Sequence, residues 1–172
     1  MSEARAGAAR LVLILSENWT LTPARELRGL VDIAVEAERA GFDAAMVSEH
    51  VVLGPGSDEG GIPENPRDYA LPGNQDPSMP WPDPFVVLAA VAAATTRLRL
   101  VLSSVIAPLR HPLLLAKQVA TLDLLAEGRL VVQPTVSWLR SEYEALGVPF
   151  EHRGALLDEH LAAWRLLWGA SP

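Results

Sequence analysis

The chain contains no cysteine, which excludes disulfides and thiolate metal sites and makes a reducing compartment, the cytoplasm, the expected setting. Positive charge is scarce: 14 Lys and Arg against 21 Asp and Glu give a net charge of −7, with no long basic run. Phosphate backbones need a concentrated positive face, so this balance argues against nucleic acid as a partner. The first residues, MSEARAGAAR, lack the apolar core of a signal peptide. No apolar run approaches the roughly 20 residues that span a bilayer, so no membrane partner is expected. Hydrolytic and metal signatures are absent: there is no GxSxG, no HExxH and no His-x-His, and no metal is expected. Glycine is missing from SENWT (16–20), the turn after the first apolar run, where a doubly wound nucleotide-binding sheet would carry its phosphate loop.

What is present is a repeating strand–helix grammar. With 172 residues and 49% apolar composition, the chain suffices for one core and a single domain, 1–172. Leu11 to Leu15 (LVLIL) reads as a strand buried on both faces. Thr22-Pro23 reads as an N-cap followed by proline at the first helical position, opening a helix that stops at Gly41. Ala44 to Ser48 is a second strand. Asp83-Pro84 repeats the cap device before a helix to about Ala94, and Leu98 to Val105 is a third strand. His111-Pro112 starts a third helix, ending at Gly128, and Leu130 to Gln133 is a fourth strand. Helical patterns follow at 138–146 and about 153–168, where Trp164 and Trp168 form a packing stripe and His152 and His160 are read as solvated. Strands alternating with helices imply parallel βαβ units. The fold class is therefore α/β, and the length of a full barrel, about 250 residues, makes this a partial (β/α)8 TIM barrel of about four βα units.

Residues 51–83 contain seven prolines and five glycines and cannot sustain a helix or strand. Loops of this length in compact domains are either lids or binding loops or disordered insertions, and a lid over the strand tips is the expectation here. Tyr69, Met79 and Trp81 supply apolar groups that a solvated linker would not need. In a parallel βα fold the C-terminal strand ends converge on one rim. Here they bring Glu17, Asn18 and Trp19; Ser48, Glu49 and His50; Ser103, Ser104 and Val105; and Thr135, Val136, Ser137 and Trp138. That rim suits a flat, partly polar ligand. Glu49 and His50 are neighbours on extended backbone and point to opposite sides, so one faces the pocket while the other supports the wall or the loop. His111 reads as part of a helix N-terminus.

Four stretches together resemble the bacterial luciferase-like superfamily of flavin- and deazaflavin-dependent oxidoreductases. They are AERAGFDAAMVSEHVVL (37–53), WPDPFVVLAAVAAATTRLRL (81–100), APLRHPLLLAKQVATLDLLAEGRLVV (107–132) and WLRSEYEALGVPFEHRGALLDEHLAAWRLLW (138–168). The resemblance implies a TIM barrel and an oxidoreductase or monooxygenase acting on a small organic substrate. It also implies a cofactor, FMN or coenzyme F420, whose ring lies over the strand ends. His50 maps onto the family's proton-transferring histidine, with Glu49 supporting it. Relatives often carry a non-proline cis peptide at the tip of strand three, and the matching segment is Ser103-Ser104-Val105. The resemblance thus implies cofactor contacts from Glu49, Ser103, Ser104, Val105, Thr135, Ser137 and Trp138, and catalysis through His50.

Two departures stand out. Many relatives carry a glycine-rich GVGVGW segment where this chain reads QPTVSW (133–138), and Pro134 and Thr135 do not permit the close approach that glycine does. The family is also about twice as long. A gene fragment, or a half-barrel that self-associates or meets a complementary half, is the expected explanation. The rival function is a non-catalytic half-barrel acting as a binding module.

Overall fold

β1 (Val12–Ile14), α1 (Leu27–Ala40), β2 (Ala44–Val47), α2 (Pro84–Ala94), β3 (Arg99–Ile106), α3 (Pro112–Leu125), β4 (Leu130–Thr135), α4 (Arg140–Ala145) and α5 (Arg153–Gly169) follow one another in the computed structural model. It describes residues 9–15, 22–23, 25–55, 57, 75–78 and 80–169. Glu17, Asn18, Trp19, Tyr69 and Met79 lie outside the described residues. The strands form one parallel sheet in the order β1-β2-β3-β4, each beside its predecessor, as in the wall of a barrel. Among the described residues no helix is long and apolar enough to cross a membrane.

Local chemistry sets most boundaries. Asp83 Oδ1 accepts from Val86 N at 3.0 Å, with Pro84 opening α2. His111 plays the same part for α3, its Nδ1 accepting from Leu113 N at 3.3 Å. Gly41 closes α1 with φ at +90°, a left-handed geometry that glycine adopts without steric cost. Thr22 does not cap α1. That helix starts at Leu27, and buried Thr22 instead lies over Gly29, where an added Cβ would stand 2.3 Å from its Oγ1. The third strand ends at Ile106 and the fourth runs two residues past Gln133, to Thr135.

One face of the sheet is covered by helices. Leu30 and Ala34 of α1, Leu88 and Val91 of α2, Leu115 and Val119 of α3 and Trp164 of α5 share a core with Leu100 and Leu102 of β3. β1 departs from the two-sided burial that LVLIL suggested: Val12 is 50% and Ile14 41% exposed. The reason is positional, since among the described residues β1 is a sheet edge and helices pack on only one face. Trp164 joins the core while Trp168 is exposed, their rings 5.0 Å apart. His160 is not solvated. It is buried, with Nδ1 2.7 Å from Leu156 O and Nε2 2.8 Å from Arg110 O, and so ties α5 to the turn before α3.

The end of the sheet away from the strand tips is pinned by two side chains. Glu38 accepts backbone N–H bonds from Thr96, Arg97 and Leu98. Arg129 donates to Ala92 O, Leu98 O and Ala126 O, all within 3.0 Å. The strand tips at the opposite end carry the titratable groups.

Candidate active site

β2 ends at Val47, and the next three residues carry its tip into the site. Glu49 and His50 point apart, as extended backbone requires. Glu49 turns toward the β3–α3 junction, where Nη1 and Nη2 of Arg110 both donate to its carboxylate, Nη1 at 2.9 Å, and Ile106 N donates at 2.7 Å. Its residue is only 5% exposed. Burial pushes the Glu49 carboxyl above its usual range, and the Arg110 charge and the two sets of hydrogen bonds pull it partly back. Arg110 also lies 3.8 Å from Asp83 and 5.5 Å from the Phe85 ring centre. Glu49 is therefore a wall brace as much as a pocket residue.

His50 turns the other way. Its Nδ1 lies 3.3 Å from Glu142 Oε2, and its Nε2 lies 2.8 Å from the Gln75 side-chain nitrogen. Trp81 and Trp138 meet the imidazole edge-on, at ring-centre distances of 4.9 and 5.8 Å. Trp81 in turn donates its indole N–H to Ser48 O at 3.4 Å. The loop thus reaches the site through Gln75 and Trp81, one contact polar and the other aromatic.

Glu142 has no exposed surface. Its Oε1 accepts from Val51 N at 2.6 Å and Val52 N at 3.4 Å, and Ser137 Oγ donates to Oε2 at 3.3 Å. Ser137 occupies a left-handed backbone conformation, φ 60°, and its hydroxyl also accepts from Leu139 N at 3.4 Å. Tyr143, wholly buried, donates its hydroxyl to Val136 O and so holds the turn from β4 into α4. Burial, against a weaker opposing pull from Arg153, pushes its phenol up to about 12.

These groups surround a cavity of about 250 Å³ at the strand ends. Of the residues singled out in the sequence, His50, Glu49, Ser103, Ser104, Thr135, Ser137 and Trp138 all line it. Val105 does not. It is fully buried in the core, and Ile106 lines the cavity in its place. The register of β3 against β4 skips between Ser103, opposite Gln133, and Val105, opposite Pro134. Such an irregularity resets the in–out alternation, which no period-two reading anticipates. The Ser103–Ser104 peptide is cis, at the position the resemblance indicated. A larger groove, about 510 Å³, runs along α3 and β4 past Leu124, Leu130, Val132 and Trp168. Its lining is apolar apart from Asp123 and holds none of the strand-tip residues, so the smaller cavity is the candidate site.

Sequence reasoning missed Glu142, Gln75 and Arg110. Glu142 lies 92 residues from His50 and Gln75 lies 25, and neither sits in a local motif that marks it. Arg110 carried a faint signal, a basic residue in the turn behind a strand tip, directly before the His-Pro cap.

Comparison with known proteins bears on this geometry. A family model described as luciferase-like monooxygenase matches residues 10–172. An uncharacterized protein of Mycobacterium tuberculosis is 38% identical over 159 residues, 92% of this chain and 52% of that protein. The chain spans about half the length of the curated relatives it matches. The crystal structure of monooxygenase RslO1 from Streptomyces bottropensis is similar with a TM-score of 0.67 and 28% identity, over 95% of this chain and 44% of that one. The oxygenating constituent of 3,6-diketocamphane monooxygenase from Pseudomonas putida, solved with FMN, shares the fold: TM-score 0.68, 21% identity, 94% of this chain and 40% of that one.

Proposed function

This chain belongs to the luciferase-like monooxygenase family, and from that premise we propose that it supplies the strand-end site of a flavin-dependent monooxygenase acting on a small organic substrate. The observation that carries the reading is the convergence of eight strand-tip residues, His50 among them, on one cavity. A bound flavin supplies the electron pair for oxygen chemistry.

The lining suits a flat heteroaromatic ring. Trp81 and Trp138 offer indole surfaces, and the hydroxyls of Ser48, Ser103, Ser104, Thr135 and Ser137 offer edge hydrogen bonds. No Lys or Arg is among the described lining residues, so a phosphate-bearing tail needs groups beyond this cavity. Within the site, His50 holds and releases a proton, Glu142 orients it, and Trp81 shields it from water. The Glu49–Arg110 pair keeps the β3–α3 turn behind the cavity in place. FMN is the first choice of cofactor because the 3,6-diketocamphane monooxygenase structure holds it, and coenzyme F420 is the alternative. The cytoplasm fits a chain without cysteine.

Titrating the protein with FMN and with F420, followed by flavin fluorescence, tests this reading. Saturable FMN binding that weakens in Trp138→Ala supports it, and binding of neither cofactor overturns it. In the flavin-loaded enzyme, His50→Ala should lower turnover about 10²–10⁴-fold, the usual worth of acid–base catalysis.

A second reading, a half-barrel that serves as an interaction module, is favoured by one observation. Among the described residues both edge strands expose apolar side chains, Val12 and Ile14 on β1 and Val131 on β4, and the groove beside Trp168 is apolar apart from Asp123. An open parallel edge pairs readily with another strand. A second copy of this chain, turned about a two-fold axis, would place β4 beside the partner's β1 at both seams. Sedimentation of the 172-residue chain decides: a dimer supports such closure, and a stable monomer excludes it.

A further inference from the structure

The surroundings of Glu142 settle which nitrogen of His50 carries its resting proton. Val51 N–H, Val52 N–H and the Ser137 hydroxyl all point donors at its two oxygens. A carboxylate surrounded in this way accepts and does not donate. Nδ1 of His50, 3.3 Å away, must then be the protonated nitrogen of the neutral ring. Nε2 is left as the position whose proton can come and go.

The partner of Nε2 is unusual for a group in that role. It is neither a cation nor a carboxylate but the carboxamide of Gln75, at 2.8 Å, carried on the long loop and only 2% exposed. Its backbone is anchored too, with Gln75 O accepting from Ser57 Oγ at 2.8 Å. A carboxamide offers a donor end and an acceptor end. The donor end matches a bare Nε2, and the acceptor end, reached by a half-turn of the amide, matches a protonated one. We propose that Gln75 is a positioning residue that keeps Nε2 of His50 as the exchangeable proton site, its carboxamide matching either protonation state. This rests on the reading of His50 as the proton-handling group, and it names the atom and the loop residue involved.

The charged groups near the ring leave this assignment to Gln75. Glu142, from α4, touches Nδ1 only. Glu49, one residue back on the strand tip, is turned to Arg110. Asp76 and Asp83, on the loop, accept from Ser78 N and Val86 N. Trp81 and Trp138 bring ring edges and no formal charge.

The test is ¹⁵N-resolved NMR of the imidazoles in the whole chain, with His50 assigned by the signals lost in His50→Asn. Unaltered protein should show neutral His50 in the Nδ1–H form, a result that needs no change at Gln75. Gln75→Glu replaces the two-ended partner with one that only accepts when ionised, and it should raise the titration midpoint of His50 by about 1–3 pH units. A neutral His50 protonated on Nε2 overturns the proposal. So does an unmoved midpoint in a Gln75→Glu protein whose circular dichroism shows it folded. These readings are independent of flavin: a protein that shows both but binds neither cofactor sustains the role of Gln75 and sinks the monooxygenase reading.

Discussion

Glu49 and Glu142 are buried carboxylates on one rim, and they are held by opposite means. Glu49 faces a full cation, with Nη1 and Nη2 of Arg110 on its oxygens. Glu142 meets no Lys or Arg among the described residues; two backbone N–H groups, a hydroxyl and an imidazole hold it. The first arrangement cancels charge and makes a rigid joint. The second leaves the negative charge directed at His50. Adjacent residues of one strand tip thus serve different ends, Glu49 bracing the wall behind the cavity and His50 facing a partner that can orient its proton.

The sharpest way to break this comparison is to remove the cation. Arg110→Met leaves Glu49 buried and uncompensated, and breaking such a pair should cost about 3–5 kcal/mol of stability in urea unfolding. The deficit should depend on pH. Burial already raises the Glu49 carboxyl, and losing Arg110 raises it further. A group with a raised folded value adds stability that is present below its unfolded value, about 4.3, and lost as pH rises through the folded one. The deficit of Arg110→Met should therefore be small near pH 4 and full at pH 7. Equal deficits at both would mean that charge is not what holds Glu49.

Glu142→Leu should cost less, about 1–3 kcal/mol, because it orphans neutral donors and not a charge. Hydrogen exchange gives a direct readout, since the amides of Val51 and Val52 should lose protection while those of β3 keep theirs. Protected Val51 and Val52 amides in the variant would show that the loop entry is held by something else.

Glu38 sharpens the comparison from the far end of the sheet. Slight burial raises its carboxyl, but the N–H groups of Arg97, Leu98 and Thr96 outweigh that and hold it below the usual range. Glu38→Gln should cost about 1 kcal/mol, the net worth of hydrogen bonds of this kind. The Glu38 carboxyl is shifted in the opposite direction to that of Glu49, yet this deficit too should shrink in acid, because here the unaltered protein loses the stability. A lowered carboxyl contributes stability that is present above the unfolded value and lost as pH falls through the folded one, so the gap between Glu38→Gln and unaltered protein should close in acid. A gap that widened in acid would show that the N–H groups of Thr96, Arg97 and Leu98 do not hold Glu38 ionised.

Much of this molecule could be read from local chemistry. Asp83-Pro84 and His111-Pro112 each start a helix where their side chains predict, because a cap needs only donors two or three residues away. The strand tips and His50 were legible because period and composition mark where a βα unit turns. Thr22-Pro23 carried the same local signal and failed, because a packing contact with Gly29 took the threonine side chain instead. The exposure of Val12 and Ile14 was hidden as well, since LVLIL records apolarity and not which sheet faces are covered.

Elements, their order and the rim that gathers the polar tips were determined by sequence, through interactions spanning a few residues. What those tips do to one another was decided only by tertiary structure. Glu142 reaches His50 across 92 positions, and Arg110 reaches Glu49 across 61. His160 lies between two backbone carbonyls, and a skipped register puts Ile106 rather than Val105 at the cavity. The physical reason is common to all of them: a buried polar group must find its partners wherever the folded chain places a donor, an acceptor or a charge, and that partner need not be near in sequence.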